Sequence, residues 1–259
     1  MTMELCYNPA AGERGLGDLY LPEHPEHAPV ALTIHGGGWS AQDKSSFCGV
    51  SQFIASLGWA VFNINYRLTT IAPWPACGDD CLMAAKFLLD GEVPEFAGLD
   101  RRKLLICGGS AGGHLALMTG LRLPPNRVAG IISISGIDEL TSDFALHSFR
   151  YEPFFGGEPT EEKQTEANPL QYLRPDSPPV LLTHWDNDQV VPVESARRFR
   201  DRGRALGCRV DYYEYSTEDE GHGIWIPDSK PHRLYPHLET ELTRFIESVR
   251  PENPPCPTK

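Results

Sequence analysis

The stretch K-L-L-I-C-G-G-S-A-G-G-H-L-A-L-M-T-G-L, Lys103 to Leu121, changes its period at one point. Up to Gly109 it is a short continuous apolar run, the pattern of a strand covered on both faces. After the glycines the apolar residues continue at helical spacing. Ser110 therefore sits at a strand-to-helix corner, inside G-G-S-A-G-G-H (Gly108 to His114). A side chain at Gly108 or Gly112 would collide with the adjoining strand and helix, and a sharp corner lifts the serine hydroxyl above the sheet. The G-x-S-x-G string is common by chance, so its weight comes from this context. A glycine-rich turn without chemistry is the competing reading.

Working outward, the same alternation repeats. Strands are expected at Pro29 to His35, Trp59 to Tyr66, Lys103 to Gly109, Val128 to Gly136, Pro179 to Trp185 and Arg209 to Tyr215. Helices are expected at Ser46 to Leu57, Ala76 to Leu89, Ala111 to Leu121, Val193 to Leu206 and Leu234 to Val249, the fourth stopped by Gly207. This pattern predicts an α/β fold, a doubly wound, mostly parallel sheet flanked by helices. Gly15 to Pro22 is expected as an edge hairpin strand, because Pro22 cannot continue a central one. Residues 137–177 lack sustained period and carry Phe144, Phe149, Tyr151, Phe154 and Phe155, so they read as an irregular insertion over the C-terminal edge of the sheet.

The 259 residues, 41% hydrophobic and 22% charged, suit one domain over residues 1–250 with a flexible Pro-rich tail at 251–259. A net charge of -12 without a basic patch argues against a nucleic-acid partner. The arginines from Arg197 to Arg204 are interleaved with acids and read as a solvated helix face. No run approaches a membrane span and the first residues lack a signal-peptide pattern, so the expectation is a cytoplasmic protein with no membrane partner. Seven cysteines without framework spacing fit reduced thiols. Cys77 and Cys81 are read as core residues, and no metal site is expected.

H-G-G-G-W, His35 to Trp39, follows the Pro29 strand directly and is far more specific than G-x-S-x-G. Glycines let backbone N–H groups approach a carbonyl on which negative charge develops, which makes Gly37, Gly38 and Ala111 candidate oxyanion donors. A phosphate loop would need residues that are missing here. A serine nucleophile needs a base oriented by an acid. Among nine histidines, His222 in E-G-H-G lies in a loop after the last strand, whereas His24 and His27 occupy a Pro-rich loop and His114, His232 and His237 lie in helical regions. The loop H-W-D-N-D-Q-V-V-P, His184 to Pro192, offers Asp186 and Asp188, and Asp188 is preferred because it has cleared the strand. Ser110, Asp188, His222 is the chain order of α/β-hydrolases.

H-G-G-G-W, N-Y-R-L (Asn65 to Leu68), G-G-S-A-G-G, D-x-V-V-P and G-H-G together resemble the α/β-hydrolase serine esterases, in the hormone-sensitive-lipase-like and feruloyl/acetyl-esterase-like branches. The resemblance runs from about Asp18 to Val249. It implies Ser110 as nucleophile, Asp188 as acid, His222 as base and Gly37, Gly38 and Ala111 as oxyanion donors. Y-R-L-T-T-I replaces the lipases' Y-R-L-A-P-E, His184 is followed by Trp185 rather than glycine, and the N-terminal stretch is expected to be too short for the cap typical of those lipases. These departures favour the smaller feruloyl/acetyl-esterase-like or kynurenine-formamidase-like branch.

The expected function is hydrolysis of small carboxylic esters through an acyl-serine intermediate, without metal or cofactor. The alternatives are a kynurenine-formamidase-like amide hydrolase or small peptidase, and a non-catalytic binding module on the same scaffold. Trp39, Trp74 and Trp225 are candidate substrate-binding residues, and their bulk predicts a preference for short acyl chains. The same residues could equally be structural plugs.

Overall fold

Strands β1 (Thr2–Cys6), β2 (Leu16–Tyr20), β3 (Pro29–Ile34), β4 (Ala60–Ile64), β5 (Asp100–Gly109), β6 (Val128–Ile134), β7 (Val180–Trp185) and β8 (Val210–Tyr215) form one sheet in the order β1-β2-β4-β3-β5-β6-β7-β8. The computed structural model describes residues 2–140, 151–216, 221–222 and 234–252. From β4 to β8 every pairing is parallel, and β1 and β2 add an antiparallel edge. The helices are α1 (Cys48–Ser56), α2 (Ala76–Asp90), α3 (Ala111–Arg122), α4 (Tyr151–Phe155), α5 (Glu161–Ala167), α6 (Glu194–Ala205) and α7 (Pro236–Ser248).

Successive residues of β5 point to opposite faces, as the strand period requires. Leu104 and Ile106 join a core with Leu88 of α2, Leu115 and Met118 of α3 and Phe199 of α6. Leu105 and Cys107 join the opposite core with Ile54 of α1 and Leu242 and Phe245 of α7. Each fully buried aliphatic side chain contributes about 1.5–3 kcal/mol, so both layers hold the sheet. This is the expected doubly wound arrangement. α3 lies in the middle, buried at every residue except Arg122. Cys77 and Cys81 are both fully buried in the first core. At the end of α6, Gly207 takes φ 79° and Cys208 N–H returns to the Gly203 carbonyl, the C-cap expected there.

One expectation is corrected at the edge. The strand around Gly15 to Pro22 is not the outermost: β2 lies between β4 and β1, pairing Gly17 with both Ile64 and Leu5. β1 was not expected from the sequence because it is only five residues long: Met3 and Leu5 alternate with polar neighbours and pack partly against the first core, but two apolar positions are too short a run to mark a strand. Within 137–177, α4, α5 and a 3-10 turn at Pro169–Tyr172 are present, with Phe154 and Phe155 fully buried. Phe144, Phe149 and residues 253–259 of the tail lie outside the described residues. Among the described residues no helix is long and apolar enough to cross a membrane.

Candidate active site

Ser110 links β5 to α3 with φ 54° and ψ -123°, a conformation that costs a non-glycine residue about 1–3 kcal/mol. Its neighbours hold it there. Ser110 N–H donates to the Ile134 carbonyl at 2.9 Å, and its own carbonyl accepts from Gly113 N–H at 2.9 Å. A Cβ on Gly108 would lie 2.0 Å from the Gly112 carbonyl oxygen, and one on Gly112 would lie 2.2 Å from that of Ile34. Both glycines are therefore fixed by close approach of backbones, which is why the corner can be this tight.

His222, which follows β8 in the chain, meets this corner through its side chain. Its Nε2 is 3.0 Å from Ser110 Oγ and its Nδ1 2.7 Å from Asp188 Oδ2. An ionised carboxylate only accepts, so Nδ1 carries the hydrogen and Nε2 offers its lone pair to the serine hydroxyl. Gly221 makes the approach possible, since a Cβ there would lie 2.2 Å from Asn187 Oδ1 and 2.6 Å from Trp185 Cβ.

The Asp188 side chain is wholly buried. Oδ1 accepts from the N–H groups of Val190 and Val191, each at 2.8 Å, which leaves Oδ2 for the imidazoles. Burial pushes its pKa up, but hydrogen bonds from His184 and His222 outweigh that and hold it at about 2. Asp186 is exposed and contributes its N–H to the Tyr215 carbonyl. Of the two candidate acids, only Asp188 meets His222.

The H-G-G-G-W loop runs beside Ser110: a Cβ added to Gly36 would lie 3.2 Å from Ser110 Cβ. Gly37, Gly38 and Trp39 all have positive φ, and at Gly37 (φ 89°) a Cβ would also meet the Ala41 carbonyl at 2.2 Å. Ala111 opens α3, where a first-turn N–H has no partner within the helix. The loop is anchored by Tyr66, whose fully buried hydroxyl lies 3.1 Å from the His35 carbonyl and 3.0 Å from that of Gly36. The Tyr66 ring also stacks on His35 at 4.3 Å. Burial drives the His35 pKa down to about 4, so the stacked ring is neutral.

The rest of N-Y-R-L is structural. Arg67 pairs with the fully buried Asp80 through Nε and Nη2, both at 2.8 Å, and Asn8 donates to the same carboxylate. Tyr66 stood inside a motif that sequence reading recognised, but its role depends on where its hydroxyl lands.

Trp39 and Trp74 are buried, at 1% and 4% exposure. Trp39 packs on Phe154 at 4.3 Å, Trp74 packs on the same ring at 5.4 Å, and both meet His114 edge-on. These indoles form a filled aromatic wall linking the glycine loop, α2, α3 and α4. Trp225 and His232 lie outside the described residues. His114, expected merely in a helix, ties the wall together. Its Nε2 lies 2.7 Å from the Ala167 carbonyl, an acceptor, so Nδ1 is free to accept from Trp39 Nε1 at 3.3 Å.

Comparison with known proteins agrees with this geometry. The BD-FAE family model matches residues 17–202. The chain is 30% identical over 206 residues to "Probable carboxylic ester hydrolase LipM" of Mycobacterium tuberculosis, covering 72% of this chain and 47% of that one. It is also 30% identical over 233 residues to esterase LipC of the same organism, covering 80% and 55%. The chain thus spans about half the length of these curated relatives. Among solved structures, a truncated carbohydrate esterase from gut microbiota superimposes with a TM-score of 0.81 at 20% identity, over 96% of each chain, a likeness of fold. The match to the family model and the two relatives, on a sheet carrying this corner and loop, place the chain in the BD-FAE family, within the hormone-sensitive-lipase-like esterase branch of the α/β-hydrolase fold.

Proposed function

We propose that this chain hydrolyses small carboxylic esters through a covalent acyl-serine intermediate. The observation that carries the proposal is His222 bridging Ser110 and Asp188 in the one tautomer that can take the serine proton. The esterase relatives support the same reading.

Ser110 Oγ attacks the ester carbonyl while His222 Nε2 accepts its proton, and Asp188 stabilises the imidazolium formed. The oxyanion is stabilised by the N–H groups of Gly37, Gly38 and Ala111, held ready by the strained loop and the first turn of α3. His222 then returns the proton to the leaving alcohol. Water attacks the acyl-enzyme by the same route, releasing the acid and restoring Ser110. Trp39 and Trp74 are assigned to the wall that limits the acyl chain, and Trp225 to substrate binding. The substrate is a small molecule and not a nucleic acid; Arg197, Arg198 and Arg200 are paired with Glu214, Glu139 and Asp201. The cytoplasmic placement belongs to this proposal too, supported by free thiols at Cys6, Cys48, Cys77, Cys81, Cys107 and Cys208.

A panel of p-nitrophenyl esters from acetate to palmitate, run beside an aryl formamide, tests the proposal. The expected result is the highest kcat/KM for acetate or butyrate, with the formamide much slower. Faster formamide turnover would transfer the site to amide chemistry, and no turnover together with no labelling by an organophosphonate would end the hydrolase reading.

A further inference from the structure

His184 ends in the interior directly behind the acid. It lies on β7 four residues before Asp188, and its side chain is wholly buried. Nε2 is 3.0 Å from the Val191 carbonyl and 3.3 Å from Asp188 Oδ2. A carbonyl can only accept, so Nε2 carries a hydrogen, and that hydrogen lies between the two oxygens. Asp188 Oδ2 thus faces two imidazole N–H groups, from His222 at 2.7 Å and His184 at 3.3 Å, while Oδ1 takes two backbone N–H groups.

A buried histidine in this position needs a reason. Its Nδ1 has no hydrogen-bond partner among the described residues, an arrangement that costs free energy where the side chain serves packing alone. A second carboxylate acts on the ring. Asp138, following β6, is fully buried, accepts from Ser133 Oγ at 2.5 Å and interacts electrostatically with His184. Ser133 in turn packs under the nucleophile corner, where a Cβ on Gly113 would lie 2.5 Å from its hydroxyl. Charge links Asp138 to His184, and a 3.3 Å contact links His184 to Asp188, so the polar groups at the end of β6 are coupled to the acid.

We propose that His184 is a positioning residue for Asp188: its Nε2–H, shared with the Val191 carbonyl, fixes the plane of the carboxylate in which Oδ2 meets His222. The inference rests on the acyl-serine reading of the same site. Two contacts hold Oδ1, but a carboxylate pinned at one oxygen can still rotate, and the His184 contact at Oδ2 removes that freedom. When His222 takes the serine proton, the partner it needs is already oriented, so the chemical step rather than substrate binding benefits.

The test compares His184→Leu, His184→Gln and His184→Asn. Glutamine can place an amide N–H near the Nε2 position, asparagine near that of Nδ1. Steady-state kinetics on p-nitrophenyl acetate are paired with the rate of phosphonylation of Ser110 by an organophosphonate, which reports serine reactivity whatever the natural substrate is. The expected result is a fall in kcat and in phosphonylation on the order of 10²-fold for Leu and Asn, KM within about threefold, and recovery to within about tenfold of wild type for Gln. A folded Leu variant with wild-type kcat and phosphonylation overturns the proposal. If Leu does not fold, equal rates for Gln and Asn overturn it. A wild-type protein that is phosphonylated but does not cleave esters refutes the ester reading alone, and the phosphonylation rates still decide the role of His184.

Discussion

Trp39 and His114 share one hydrogen, Trp39 Nε1–H donating to His114 Nδ1 at 3.3 Å, and this contact joins the glycine loop to the helix that starts after Ser110. The far nitrogen of the same imidazole meets Ala167 at the end of α5. The segment after β6 is thereby tied to the Ser110 corner through a side chain outside the Ser110, His222 and Asp188 cluster. Such a ring must stay neutral, and its burial pushes the pKa down to about 4.

A pH dependence of stability follows. His35 and His114 both fall from 6.5 to about 4, so below pH 6.5 the unfolded chain binds protons that the folded one refuses. Their contribution is complete above pH 6.5 and is lost as pH falls towards 4. Asp138, raised to about 6 by burial, acts in the opposite direction over the same range. Comparing wild type with His114→Gln isolates one histidine. The drop in Tm between pH 7 and 4.5 should be smaller in the variant, and equal drops would show that His114 does not resist protonation.

Ser110→Ala removes one oxygen and no core volume. Activity should fall on the order of 10⁴-fold or more with Tm unchanged within a few degrees. A folded variant that kept most of its activity would move the nucleophile elsewhere.

Asp188→Asn keeps an acceptor for the Val190 and Val191 N–H groups but turns an amide NH₂ towards His222 and His184. His222 must then present the wrong tautomer to Ser110, lowering kcat by up to about 10⁴-fold. Asp186→Asn, at an exposed position, should stay within about threefold of wild type. Reversal of the two results in a kinetic comparison would reassign the acid.

Tyr66→Phe leaves the His35 and Gly36 carbonyls without their shared donor. The loss of the bond should cost about 1–3 kcal/mol in denaturant unfolding. Because those carbonyls belong to the loop beside Ser110, kcat should drop on the order of tenfold as well, a size expected for slight misplacement of catalytic groups. Lost stability with full kcat would show that the loop is held by other contacts.

Arg67→Met strands the buried Asp80 carboxylate. Breaking such a pair costs about 3–5 kcal/mol, read as a lower urea midpoint at constant m-value. A change below about 1 kcal/mol would mean that Asn8 and the Arg67 backbone N–H, which also donates to Asp80 at 2.8 Å, suffice.

The sequence alone determined the doubly wound parallel sheet, the corner at Ser110 and the chain order of the three candidate side chains. Those features are written in local periodicity and in glycines whose missing Cβ atoms are required by backbones 2 Å away, and such signals survive without knowledge of distant contacts. It also favoured Asp188 over Asp186, since a residue must clear the strand before its side chain can reach another loop. The tertiary structure decided what depends on residues far apart in the chain. β1 was hidden because it offers only two apolar residues, Met3 and Leu5, to the core, and so short an alternation becomes a strand only through its pairing with β2. Tyr66, His114 and His184 gained their roles only when hydrogen-bond partners from other elements were brought to their polar atoms, and no spacing in the sequence encodes where an imidazole nitrogen or a phenol oxygen will lie. Trp39 and Trp74 show the same limit: their bulk was legible in the sequence, but their burial against Phe154 and His114 was decided by long-range packing.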